Sequence, residues 1–126
     1  MIFRNILLID DDEEDLEIFL IAVGEVSDAV TCTCVNDAAA ALAKLDEGKI
    51  LPDVIFLDLN MPVMNGQQFL ATIKQNEKLQ SIPVIIFTTS SDPQTIALTK
   101  SLGAHDFITK PEHYDELVST LALLIN

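Results

Sequence analysis

The residues best suited to chemistry stand where strand-like runs end. "NILLI" (5–9) leads into Asp10, Asp11 and Asp12, "DVIFL" (53–57) into Asp58, and "HDFIT" (105–109) into Lys110 and Pro111, while "VIIFT" (84–88) closes on Thr88. Carboxylates brought together repel one another, so such a cluster calls for a compensating cation. A hard divalent ion, Mg2+ or another such as Mn2+, takes one or two carboxylates, several waters and a phosphate oxygen. Lys110 would add a compact positive charge and Thr88 a hydroxyl donor. Together these groups can hold a phosphoryl group. Asp58 is the expected nucleophile, forming an acyl phosphate, with Lys110 and the cation spreading charge over the equatorial oxygens.

The stretch "VIFLDLNMPVMNG" (54–66) carries the centre of that cluster. The loop after Asp58 is expected to aim a backbone carbonyl, that of Asn60, at the metal. Pro62 restricts the loop, and Gly66 is expected to supply backbone angles that other residues resist. Asn65-Gly66 alone suggests a hairpin, but the helical pattern that follows argues against one. Met61 and Met64 read as loop packing.

These residues converge only if the elements before them take one arrangement. After the strand at 5–9, "DDEEDLEIFLIAV" places Leu16, Phe19, Leu20 and Val23 on one helical stripe, with early acids at the positive end of the helix dipole and Asp12 as a capping residue. "AVTCTCV" (29–35) reads as a strand with Cys32 and Cys34 on one face, two buried reduced thiols without further zinc ligands. "NDAAAALAKLDEG" is a helix capped by Asn36 or Asp37 and stopped at Gly48. "QQFLATIKQNEKL" is a third helix. "SSDPQTIALTKSLG" is a fourth, with Pro93 in its first turn and Gly103 at its end. "EHYDELVSTLALLI" is the last, with Tyr114, Leu117, Val118, Leu121 and Ile125 facing inward. Strand and helix alternate five times, and the strands are mostly continuous apolar runs. That pattern predicts an α/β fold: a doubly wound, five-stranded parallel sheet with helices on both faces. The flavodoxin-like order 2-1-3-4-5 would set the acids of strands one and three beside the switch point.

The chain has 126 residues and a net charge of −13, with only seven Lys and Arg spread along it. No basic stripe is available to displace counterions from phosphates, so nucleic acid is not an expected partner. No apolar run is long enough to span a bilayer and no secretory signal is visible, so membrane insertion is not expected and a cytoplasmic location is. One domain over residues 1–126 is expected, with no output domain after it.

The acidic pair after "ILLI", the "DLNMPVMNG" loop, the "FTTSSD" strand end and "FITKP" together resemble the receiver domain of two-component response regulators, of the stand-alone type. The resemblance runs from about Arg4 to Ile125. It implies that Asp58 is the phospho-acceptor, that Asp10 and Asp11 hold Mg2+ with Asp58 and the Asn60 carbonyl, and that Thr88 and Lys110 read the phosphoryl group. It further implies a cis bond between Lys110 and Pro111. Phe107 falls where the family places a rotating aromatic, and as Phe it would couple by packing alone. The implied partners are a sensor histidine kinase or phosphotransfer protein, and a downstream protein that docks on the face formed by helix four, strand five and helix five. A monomer or weak homodimer is expected. Ile18, Ile21 and Leu123, off the core stripes, are either ordinary exposed residues or part of a partner surface. His105 and His113 receive no role.

A phosphorylatable signalling switch is therefore the leading expectation. Its catalysis would be limited to autophosphorylation from small phosphodonors and autodephosphorylation. Two alternatives stand beside it. A metal-dependent aspartyl-phosphate phosphatase would want a second Asp two residues after Asp58, where Asn60 stands and cannot act as general acid or base. An unphosphorylated scaffold would keep the fold without the chemistry.

Overall fold

A computed structural model describes residues 3–125 of the chain. Its elements run β1 (Asn5–Ile9), α1 (Glu13–Val26), β2 (Thr31–Val35), α2 (Ala38–Asp46), β3 (Val54–Leu57), α3 (Gly66–Lys74), β4 (Val84–Thr88), α4 (Pro93–Ser101), β5 (Asp106–Thr109) and α5 (Tyr114–Ile125). All strand pairings are parallel, in the order β2-β1-β3-β4-β5. The expected fold class and strand order are both present.

Alternation along the strands builds two cores. Leu7, Ile9, Ile55, Leu57 and Ile86 meet α2 and α3 through Ala41, Leu45, Phe69, Leu70 and Ile73. Ile6, Leu8, Val54, Phe56, Ile85 and Phe87 meet α1 and α5 through Phe19, Ala22, Val23, Leu117, Leu121 and Ile125. Residues with both faces of their strand covered have nowhere to place a polar side chain, which is why β1, β3 and β4 read as unbroken apolar runs. Phe19, Phe56 and Phe87 contact edge to face, with centroids 5.2 to 6.1 Å apart. Each such contact contributes about 0.5–1.5 kcal/mol beyond the area it buries.

Capping side chains set where the helices begin. Asp12 accepts from the Glu14 and Asp15 amides, and Asp37, rather than Asn36, caps α2. Asn65 caps α3 in a reciprocal box with Gln68, so the Asn-Gly pair starts a helix and makes no hairpin. Asp92 caps α4 with Pro93 as its first residue, and Gly103 follows its end at φ +103°. Among the helices α4 is the least anchored: Thr99 is its one buried residue, and the Thr99 hydroxyl donates back to the Thr95 and Ile96 carbonyls.

Several expectations need correction. Leu20 is 43% exposed and Tyr114 41% exposed, so neither lies on the inner stripe. One residue of helix turns the side chain by about 100°, and with Phe19 pointing inward the stripe continues through Ala22, whose small side chain drew no notice in the sequence. Tyr114 instead donates its hydroxyl to Glu25, tying α5 to α1 at the surface. Residues 75–79, expected as helix, are turn, because the Asn76 side chain accepts from the Lys78 amide and its backbone closes on Leu79 and Gln80. Asp53 does not extend β3; its carboxylate accepts from the Arg4 and Asn5 amides. Cys32 and Cys34 share one face, as expected, but are half-buried free thiols. Hydrogen bonding between them, with burial adding to it, raises the Cys32 thiol.

Candidate functional site

Each of the expected chemical residues follows or ends a strand, and the sheet's hydrogen bonding carries on into it. The Asp10 amide donates to the Val35 carbonyl at 3.2 Å, the Asp58 amide to Ile9 at 3.0 Å and the Lys110 amide to Thr88 at 2.7 Å. The ladder therefore fixes the backbone under Asp10, Asp58 and Lys110, and their side chains leave the sheet at its carboxyl edge. That edge is where ligands bind in open α/β sheets.

Asp10, Asp58 and Thr88 are almost wholly buried, at 1%, 5% and 0% exposure. One carboxylate oxygen from each of Asp10, Asp11 and Asp58 lies within 4.8 Å of the others. Lys110 answers this charge. Its Nζ donates to Asp10 Oδ2 at 2.7 Å and stands 3.8 Å from Asp58 Oδ2. A single ammonium among three carboxylates leaves the cluster negative, and the donor set is entirely hard oxygen. Such a set suits a divalent cation of the Mg2+ or Mn2+ kind.

Burial pushes the Asp58 carboxyl up. The Lys110 ammonium opposes the rise, Asp10 adds to it, and the Thr88 hydroxyl and Asn60 amide counter it. For Lys110, burial works against the charge, but hydrogen bonds to Asp10 and Asp15 and the field of Asp58 outweigh it, holding the ammonium above its ordinary value. Thr88 Oγ accepts a long hydrogen bond, 3.5 Å, from the Asn60 side-chain amide.

The loop after Asp58 works differently from expectation. Gly66 takes ordinary backbone angles; it is needed because a β-carbon there would overlap the Asp58 carbonyl and stand 2.7 Å from the Leu59 Cα. The residue with left-handed geometry is Val63, at φ +65° and 99% exposed. Pro62 is exposed beside it, while Met61 and half-buried Met64 pack on the α2–α3 core, as expected of loop residues. Among the described residues no peptide bond is cis, so Lys110–Pro111 is trans, contrary to what the resemblance implies. Phe107 is half-buried on β5 and packs on the same core.

Sequence reasoning missed Asp15. Its carboxylate accepts from Lys110 Nζ at 2.8 Å. The acids of the first turn read as complements to the helix dipole, and only the approach of α1 to the end of β5 gives this one a partner. A cavity of about 460 Å³ lies beside the contact, lined by Asp15, Phe19, Phe87, Lys110, Pro111 and Leu117 among others.

The structure is thus a doubly wound parallel α/β module with a buried aspartate, an acidic pair, a hydroxyl and a lysine gathered at its switch point. The chain belongs to the response regulator receiver domain family, whose model matches residues 6–122. It is 32% identical over 123 residues to the response regulator Rcp1 of Synechocystis, covering 90% of this chain and 81% of that protein. The Mn2+-bound form of Rcp1 is similar in structure, with a TM-score of 0.86, 28% identity and coverage of 96% of this chain and 91% of the other. The phosphorylated cyanobacterial phytochrome response regulator RcpA gives 0.88, 28%, and coverage of 96% and 90%. Receiver domains are signalling switches of two-component systems rather than enzymes in the usual sense. No helix among the described residues is long and apolar enough to cross a membrane.

Proposed function

We propose that the protein is a phosphorylation switch whose acceptor is Asp58, acting in the cytoplasm on a phosphoryl group supplied by a histidine kinase or a phosphotransfer protein. One observation carries the reading: Asp58, 5% exposed, has oxygens within 4.8 Å of those of Asp10 and Asp11 while an ammonium stands 3.8 Å away. Carboxylates this close repel one another, and a cation with a phosphoryl group and the Lys110 ammonium would offset that repulsion.

A carboxylate oxygen of Asp58 attacks phosphorus, the bond from phosphorus to the donor's histidine nitrogen breaks, and the imidazole leaves with the electron pair. Asp10, Asp11, Asp58 and the Asn60 carbonyl would hold Mg2+ or Mn2+. When bound, that ion supplies charge stabilisation for the transferring group. Lys110 donates to the phosphoryl oxygens, and the Thr88 hydroxyl turns toward them and leaves Asn60. Small phosphodonors serve in place of the kinase, and hydrolysis of the acyl phosphate resets the switch.

The output is a changed preference between two arrangements of the face built from α4, β5 and α5, which a downstream protein reads. Two features support that face. The α4 helix buries only Thr99, so moving it disrupts little packing, and Phe107 on β5 is half-buried rather than locked in the core. The protein would work as a monomer or weak homodimer.

The test is the intact mass after incubation with acetyl phosphate, with and without Mg2+, beside Asp58→Asn. One added phosphoryl group that needs both Mg2+ and Asp58 is expected. A folded protein that gains none would sink the reading.

A further inference from the structure

Asp15 plays no part in the acceptor chemistry described so far, yet it holds Lys110 nearly as closely as Asp10 does. Lys110 Nζ donates to Asp10 Oδ2 at 2.7 Å and to Asp15 Oδ2 at 2.8 Å, but is 3.8 Å from Asp58 Oδ2. The last distance is an ion pair outside hydrogen-bond reach. A lysine ammonium is a compact charge on a flexible stem, so its place follows its strongest acceptors. Here both of those acceptors are carboxylates other than Asp58.

The two partners differ in what release would cost them. The Asp10 side chain is 1% exposed and would lose its counter-charge inside the protein. That of Asp15 is 38% exposed, on the first turn of α1, and would recover water on release. Leaving a buried charge unpaired is strongly unfavourable, whereas a partly exposed one gives up its partner cheaply. Asp15 is therefore the contact that yields when Lys110 is drawn elsewhere.

We propose that Asp15 is a positioning residue that holds Lys110 off Asp58 in the unphosphorylated protein and competes with the incoming phosphoryl group for the ammonium. The inference rests on Asp58 being the acceptor. Phosphorylation adds anionic oxygens at Asp58; Lys110 moves to them by releasing Asp15 and keeping Asp10. The Asp15 contact thus favours the unphosphorylated form. It also ties the start of α1 to the residue after β5, so its release removes one tie between that helix and the end of the sheet.

The experiment compares the steady-state phosphorylated fraction under acetyl phosphate and Mg2+, and the decay of the acyl phosphate after donor removal, by intact mass. The variants are Asp15→Asn, Asp15→Glu and Glu14→Gln, with Asp15→Asn also made in a Lys110→Met background. Asp15→Asn is expected to raise the ratio of phosphorylated to free protein about three- to tenfold. Asp15→Glu should stay near wild type, and Glu14→Gln, which removes the same charge from the same turn, should do so too. Lys110→Met should abolish the effect of Asp15→Asn. An unchanged or lowered ratio in Asp15→Asn, or an effect that persists without Lys110, overturns the proposal.

Urea unfolding without donor supplies a separate reading. The Asp15→Asn and Lys110→Met shifts in midpoint should be non-additive. Additive shifts overturn the hold on Lys110 even where Asp58 is phosphorylated. A wild-type protein that takes no phosphoryl group overturns the acceptor reading and the competition with it, and the unfolding cycle tells the two failures apart.

Discussion

The Cα of Gly66 lies against the backbone carbonyl of Asp58, with no room between them for a methyl group. The first residue of α3 is thereby packed against the residue on which the proposed chemistry depends, and the loop between them has its length and path set at both ends. Gly66→Ala is expected to force the Asp58 and Leu59 backbone to shift, at about 1–3 kcal/mol in stability. It should also slow phosphorylation by displacing Asp58. Urea unfolding and the acetyl phosphate reaction would be measured together. A variant as stable and as reactive as wild type would contradict the close packing.

The three clustered carboxylates predict divalent-cation binding that depends on their number. Calorimetric titration with Mg2+ or Mn2+ should show one site, with Asp11→Asn weakening it by at least about tenfold through loss of a charged ligand. Because Asp11 is exposed, this change should leave the unfolding midpoint in metal-free buffer nearly unaltered. Equal affinity in the variant would remove Asp11 from the ligand set.

The raised Asp58 carboxyl carries a pH dependence of known sign. Folded Asp58 binds its proton more tightly than unfolded Asp58, so stability falls as pH rises from the ordinary carboxylate value through its raised one. In metal-free buffer Asp58→Asn should therefore be more stable than wild type near pH 7, with the difference closing as pH approaches about 4. For Lys110, whose ammonium is held above its ordinary value, the contribution is complete below about pH 10 and is lost only in strong alkali. An advantage for Asp58→Asn that grew on acidification would contradict the burial argument.

Thr88→Val separates accepting the phosphoryl group from responding to it. The side chain is fully buried and its hydroxyl is 3.5 Å from the Asn60 amide, so an equal-sized apolar replacement keeps the packing and removes the signal. Phosphorylation should remain within about fivefold of wild type, since one hydroxyl hydrogen bond contributes about 1 kcal/mol net. Amide resonances of Phe107 and α4 should then stop shifting on phosphorylation. Shifts of wild-type size in Thr88→Val would take Thr88 out of the coupling.

Helix and strand content, the parallel sheet and the gathering of polar residues at the strand ends were legible in the sequence because each rests on local rules. Apolar runs bounded by polar residues mark buried strands, and capping residues such as Asp37 and Asp92 mark helix starts. The polar residue ending each run marks the sheet's functional edge. The sequence determined which residues reach that edge, since strand ends bring Asp10, Asp58, Thr88 and Lys110 there whatever else the chain does. What only the tertiary structure decided were relations between elements. That Leu20 faces water while Ala22 faces the core depends on how α1 rotates against the sheet. The need for Gly66 comes from the approach of α3 to Asp58 and not from its own backbone angles. The pairing of Asp15 with Lys110, 95 residues apart, arises only where α1 meets the end of β5. Periodicity and capping are properties of neighbours in the chain, whereas rotation, close approach and charge pairing across the sheet are set by the packing of the whole core.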